Sequence, residues 1–328
     1  MLKYFIQQKM SENNVIMSTP DSLQKHKLTR FIDPYSDFGF KHIFGKAPNR
    51  DLLIRFLNVV LKDRKVIVDI QYNDVAHKGP GKDYRKTVFD LYCTGDKGEK
   101  FIVEMQKAKV ENFKDRSIFY TANLIQEQGV GVVAGWNYLL PEIYFLAIMN
   151  FKFDNGHPDH FIRDVRLIDV NTNEEFYPKL GYIFIETPKF RKTEGELENE
   201  LEEWLYILNN LKEFTEIPLS LKGKGEYDKI FEIAEIGNLT PQEMNEYQQS
   251  LKIYRDNESA RRVADREARE LGLKKGISEG LEQGLEQGLT EGRKEERREI
   301  ASKLKAENVS FGVISKTTGL TLEEIASL

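Results

Sequence analysis

Apolar residues at Leu52, Leu53, Phe56, Leu57, Val60 and Leu61 recur at three- and four-residue intervals, which predicts a core helix with Asn49 as its N-cap. Ahead of it, Asp33-Pro34-Tyr35-Ser36-Asp37 reads as a turn and capping cluster before a short apolar segment, Phe38 to Phe44, closed by Gly45. The pattern then changes. Val66 to Tyr72 predicts a strand and Lys78 to Lys82 a Gly-Pro-Gly loop. Two further strands are expected at Val88 to Tyr92 and Phe101 to Gln106. Between those two lies Cys93 to Glu99, whose Gly95 and Gly98 suit a tight hairpin, so the strands should be antiparallel neighbours. Phe113, Ile118, Tyr120, Leu124 and Ile125 predict a helix over Asn112 to Gln128, stopped by Gly129 and Gly131. Ile143 to Met149 is nearly all apolar, as befits a strand buried on both faces. The order is helix, three strands, helix, strand, and a strand following a crossover helix should lie parallel in the same sheet. Phe161 to Val170 and Tyr182 to Glu186 can extend that sheet, with Asn171-Thr172-Asn173 as their turn.

The last third of the chain reads as helical. Leu197, Leu201, Trp204, Leu205, Leu208 and Leu211 hold helical spacing over Glu196 to Phe214, and Gly223 to Gly237 suits a loop with a short helix. Residues 241 to 271 form a charged helix with a thin apolar side at Tyr247, Leu251, Tyr254 and Val263. Glycines then recur every four residues, from Gly272 to Gly292, five of them followed by Leu273, Ile277, Leu281, Leu285 and Leu289. Each glycine costs a helix about 1 kcal/mol relative to alanine, so 271–295 is either a linker or a self-associating helix whose bare stripe admits a neighbour. Residues 296–328 predict a small helical unit: one helix ending near Ala306, a second from Phe311 to Lys316, a turn at Gly319 and a capping box at Thr321-Leu322-Glu323-Glu324. The unit resembles a helix-turn-helix, although a tail for dimer contacts fits it equally.

Set against this pattern, three polar residues stand out. Asp90 lies in one apolar strand, and Glu104 and Gln106 lie in the next. Acids are poor strand formers and costly among buried neighbours unless paired or bound to a cation. Antiparallel pairing would set Asp90 beside Glu104, while Glu104 and Gln106, two apart, share a face. Taken singly, each could be a solvated edge residue or a cross-strand charge pair that fixes register. Together, without matched bases, they point to a hard cation, Mg²⁺ or Mn²⁺, and no Cys/His set has zinc spacing.

Composition narrows the setting. The 328 residues are 40% hydrophobic and 31% charged, enough for a good core and more than one domain. A single cysteine, Cys93, excludes an internal disulfide framework and suits a reducing, cytoplasmic setting; without a basic neighbour it reads as filler rather than a reactive thiol. The longest apolar stretch, around Tyr138 to Phe151, is broken by Pro141, Glu142 and Asn150, so no membrane span is expected. Residues 1–30 read as a disordered tail with no signal peptide. Net charge is −5, yet residues 31–130 carry a surplus of three positive charges, which permits phosphate binding. His157-Pro158-Asp159-His160 reads as a polar turn rather than a metal site.

The run Asp33-Pro34 through Phe38, Phe40-Lys41 and Phe44, then Phe89-Asp90, then Val103-Glu104-Met105-Gln106, then Phe113, Arg116-Ser117, Tyr120 and Asn137 to Pro141 resembles the PD-(D/E)xK nuclease family transposases, also called recombination-promoting nucleases, over about residues 31–190. The resemblance implies an α/β, restriction-endonuclease-like core with a mixed sheet of order αβββαβ, followed by an α-helical C-terminal region. It implies that Asp90 and Glu104 bind Mg²⁺, and that Gln106 stands where many relatives of the wider superfamily have lysine. An amide can orient water but cannot lower its pKa by charge, so more of the activation falls to the metal. Asp37 would add a ligand, although Asp33 competes for that role and an N-cap suits either. Lys41, Arg116 and Tyr120 would touch substrate. Arg116 and Tyr120 lie one helical turn apart on one face, and their alternatives are a surface salt bridge with Asp115 or Glu111 and edge packing of the core. The implied activity is metal-dependent cleavage of DNA in recombination or transposition, and the C-terminal helices suggest a homo-oligomer. The competing reading is a non-catalytic DNA-binding or oligomeric adaptor.

Overall fold

The computed structural model describes residues 29–62, 64–77, 87–128 and 137–328. The expected 78–82 loop, the Gly129 and Gly131 helix stop and all but the last two residues of the expected tail lie outside these. Of those two, Arg30 is bound through an ion pair to Glu235 (2.9 Å). By contact the chain divides into two compact units, residues 1–253 and 254–328.

The first unit opens with α1 (Asp37–Phe44) and α2 (Arg50–Val60). The capping cluster and Asn49 stand where expected, with different side-chain roles. Ser36, rather than Asp33 or Asp37, caps α1 by accepting the Gly39 N–H (2.9 Å). Asn49 occupies the N-cap position of α2, but its side chain donates to the His42 carbonyl (3.0 Å) instead.

Strands β1 (Ile70–Tyr72), β2 (Ala76–His77), β3 (Thr87–Val88), β4 (Leu91–Gly95) and β5 (Lys100–Gln106) follow, then α3 (Phe113–Glu127), β6 (Ile143–Met149), β7 (Ile162–Ile168) and β8 (Glu175–Glu186). Six of them form a sheet of order β1-β4-β5-β6-β8-β7. β5 and β6 are parallel, as the crossover rule requires, and β4 and β5 are antiparallel. β7 and β8 form the expected hairpin, with β8 parallel to β6. The first expected strand is shorter than 66–72. The expected strand at Val88 to Tyr92 is broken, because β3 pairs with β2 in a separate two-stranded ribbon and β4 starts only at Leu91.

Alternation along β5 separates two cores. Phe101, Val103 and Met105 face one that includes α1 and α2, whereas Ile102 faces the other, beneath α3 with Phe113, Tyr120 and Leu124. All seven residues of β6 are buried. The first core is completed by α4 (Glu200–Asn210) and α5 (Gly225–Ala234), whose Trp204 meets Phe44 and Phe56 at ring separations of 5.9 and 5.4 Å. Cys93 is buried, and its thiol is pushed up to about 12 by that burial, so it is no nucleophile at neutral pH.

The next helix, α6 (Pro241–Ala306), runs without interruption through the glycine repeat, so 271–295 is helical. No proline follows Pro241, and pairs such as Lys275–Glu279 (3.7 Å) and Glu299–Lys303 (2.6 Å) support it at i,i+4 spacing. In the second unit, α7 (Phe311–Thr318) ends at Gly319 with φ 72°, and α8 (Leu322–Ser327) starts at a capping box in which the Thr321 N–H donates to Glu324 (2.8 Å). Ala301, Ile314, Leu320 and Ile325 form its small core.

Candidate active site

The break between β3 and β4 falls at Phe89-Asp90. The Phe89 N–H donates to the Val75 carbonyl (3.0 Å), which holds the chain toward the ribbon and lets the Phe89 ring enter the core beneath α3. Register then continues from Leu91 opposite Val103, so Asp90 comes beside Glu104. The two residues interlock. The Asp90 N–H donates to Glu104 Oε1 (3.2 Å), and the Met105 N–H donates to Asp90 Oδ2 (2.8 Å). Side chains here replace a ladder of backbone bonds, which fixes both carboxylates and ends the strand in one step.

Glu104 is fully buried, whereas Asp90 keeps part of its surface exposed. Glu104 Oε2 also accepts from Gln106 Nε2 (3.0 Å) and lies 3.4 Å from Arg116 Nη2. Burial, then the negative charge of Asp90, holds the Glu104 carboxyl well above the usual carboxylate range, against the lowering effect of Arg116. Asp90 is likewise raised, first by burial, although the Met105 N–H and the charges of Lys41 and Arg116 oppose the rise. Two such neighbours cannot both ionise cheaply without a compensating cation.

Arg116 reaches the pair from α3. Its Nε donates to the Tyr120 hydroxyl (2.6 Å), and its guanidinium lies 4.9 Å from the Tyr120 ring centroid. Tyr120 packs edge-on against Phe89 (5.1 Å). Arg116 thus faces Glu104, not the surface acids Asp115 and Glu111. Tyr120 both packs in the core and orients the arginine.

Asp37 and Lys41 lie on α1 as an i,i+4 ion pair (2.6 Å), and both charges are felt at Asp90. Asp33 is occupied elsewhere: it accepts from the Tyr35 N–H (2.9 Å) and pairs with Lys107 Nζ (2.7 Å) in a largely buried contact. Lys107, immediately after Gln106, went unread in the sequence. Its pairing ties the end of β5 to the turn before α1, and the only sequence signal was its adjacency to Gln106. His42 is buried with its ring stacked on Phe38, and His157 and His160 stack in an exposed turn.

Among the described residues no three of His, Cys, Asp and Glu gather as a set able to hold a metal. Asp90 and Glu104 therefore supply two carboxylates, and Asp37 does not close a triad with them. Two acidic ligands still suit Mg²⁺ or Mn²⁺, because Mg²⁺ commonly retains several waters and takes one or two carboxylates from the protein. A divalent cation would offset the burial and repulsion that raise these carboxyls. No helix among the described residues is long and apolar enough to cross a membrane.

A comparison with family models matches residues 34–264 to the PD-(D/E)XK nuclease family transposase model, a span that takes in every residue of the site. No curated protein and no solved structure matches the chain. The matched span covers well over half of the sequence and coincides with the mixed sheet that carries Asp90 and Glu104, so the chain belongs to the PD-(D/E)XK nuclease family transposases.

Proposed function

We propose that this chain is a divalent-metal-dependent DNA endonuclease whose centre is Asp90, Glu104 and Gln106. The observation that carries the reading is the interlocked pair of carboxylates, both raised in pKa, with Arg116 beside the buried Glu104. Asp90 and Glu104 would hold Mg²⁺ or Mn²⁺. When bound, the cation supplies Lewis acidity toward water and phosphate oxygen.

The protein's own groups perform the rest. Gln106, hydrogen-bonded to Glu104, presents an amide able to orient a water but not to deprotonate it. Arg116, held by Tyr120, offers the planar donor fork suited to a phosphate oxygen, and Lys41 adds positive charge from α1. Asp37, paired with Lys41, would act through the position of that lysine or through an intervening water. DNA as the partner, a role in recombination or transposition, a cytoplasmic setting and a homo-oligomer built through the C-terminal helices belong to the same proposal.

One observation favours the second reading, a non-catalytic DNA-binding adaptor: the donor set stops at two carboxylates among the described residues. Supercoiled plasmid incubated with Mg²⁺ or Mn²⁺ separates the two. The nuclease reading expects nicking that EDTA and the Asp90→Ala, Glu104→Ala double variant both abolish. DNA retention without cleavage would establish the adaptor, and equal cleavage by the double variant would remove the site from these residues.

A further inference from the structure

On the opposite face of the sheet from Glu104, at the other end of β5 and β6, lies a polar cavity of about 340 Å³. Four cations line it: Arg64 and Lys65 from the segment after α2, Arg166 from β7 and Lys179 from β8. Four acids balance them as a set, but unevenly. Lys65 sits between Glu99 (2.7 Å) and Glu142 (2.9 Å), and Arg166 between Asp164 (2.5 Å) and Glu175 (3.3 Å). Arg64 must share Asp164, which stands 2.5 Å from its Nη2. Lys179 donates to the Leu140 carbonyl (3.1 Å), and its charge is felt at Glu142 without a direct ion pair among the described residues.

Arg64 is the telling member. Its side chain is only 8% exposed, and Nε and Nη1 have no hydrogen-bond acceptor among the described residues. The guanidinium lies over the backbone of Gly181, where any Cβ would collide with Nη1, and its centre is 6.0 Å from the Tyr144 ring. A buried guanidinium left short of acceptors is costly, and an ion not yet counted is one of the few explanations for such a group. We propose that this cavity binds a phosphate-bearing anion, held by Arg64, Lys179 and Arg166, at a site separate from the Asp90–Glu104 pair and independent of the nuclease reading. Phosphate fits because its oxygens can accept from a planar arginine fork and a lysine together.

Calorimetric titration of the full chain in EDTA with inorganic phosphate, and separately with a short DNA duplex, tests this. The wild type and the Glu104→Gln variant should bind phosphate saturably in the millimolar range or tighter. Arg64→Gln and Lys179→Gln should each weaken binding about tenfold or more, the scale of one lost charge-assisted hydrogen bond. If Arg64→Gln does not fold, Lys179→Gln alone decides, since its side chain is only half-buried. Duplex that displaces phosphate would identify a DNA backbone phosphate as the occupant, and phosphate binding unaffected by duplex would identify a free phosphate compound. No saturable binding by the wild type, or equal binding by the Lys179→Gln variant, overturns the proposal.

Discussion

At the scale of the residue, the account rests on two carboxylates whose pKa values burial raises, that of Glu104 further by the charge of Asp90. Glu104→Gln keeps the shape and an acceptor for the Asp90 N–H while removing the charge, so without metal its melting temperature should equal or exceed that of the wild type. Cleavage should nonetheless fall by at least about 100-fold, a loss that even an outer-shell partner of a metal ligand can produce. The pH dependence has a definite sign. The folded pKa of Glu104 lies above its ordinary value of 4.5, so in the interval between the two the folded chain holds a proton that the unfolded chain releases. Metal-free stability attributable to Glu104 should fall as pH rises through that interval, and the difference in melting temperature between wild type and Glu104→Gln should show it. Arg116→Ala should weaken DNA binding across sequences and lower the salt slope by about one unit, as for any single phosphate contact. A fluorescence-anisotropy titration at several salt concentrations reads that slope. Proximity of Asp90 to Glu104 was legible from the hairpin spacing alone. The Ser36 cap and the Lys107–Asp33 contact were not, because the first had two competing acids beside it and the second joins residues 74 positions apart.

At the scale of the element, legibility followed the strength of the pattern. β6 was readable because seven consecutive apolar residues have no other comfortable place than a strand covered on both sides. Val88 to Tyr92 reads as one strand by composition, yet Asp90 gives its N–H to a side chain and so ends the ladder. The glycine repeat left two readings open, helix and linker, for a different reason. Propensity argues against a helix there, but helix continues unbroken from Pro241 to Ala306. At Gly280 and Gly284 an added Cβ would meet nothing within 4 Å, so Gly→Ala at either should stabilise the helix by about 1 kcal/mol and raise helicity by circular dichroism. Loss of the cap through Ser36→Ala should cost about 1 kcal/mol, measured by denaturant unfolding.

At the scale of the whole molecule, the sheet with its site does not own its core. Trp204 is fully buried against Phe44, Phe56 and Tyr227, which draws residues beyond 190 into the same hydrophobic cluster as α1 and α2. Trp204→Ala should cost about 3–5 kcal/mol, a large part of a typical domain's 5–15 kcal/mol. A chain cut at 190 should accordingly show no cooperative thermal transition. Membership of the nuclease family explains why such a sheet carries paired acids, but membership alone leaves chemistry open, and the pair itself has to be tested. Mn²⁺ binding followed by calorimetry and electron paramagnetic resonance does so most directly, on the wild type and on the Asp90→Asn and Glu104→Gln variants. The account predicts saturable binding by the wild type that either substitution removes; Mn²⁺ bound equally by all three proteins would contradict it.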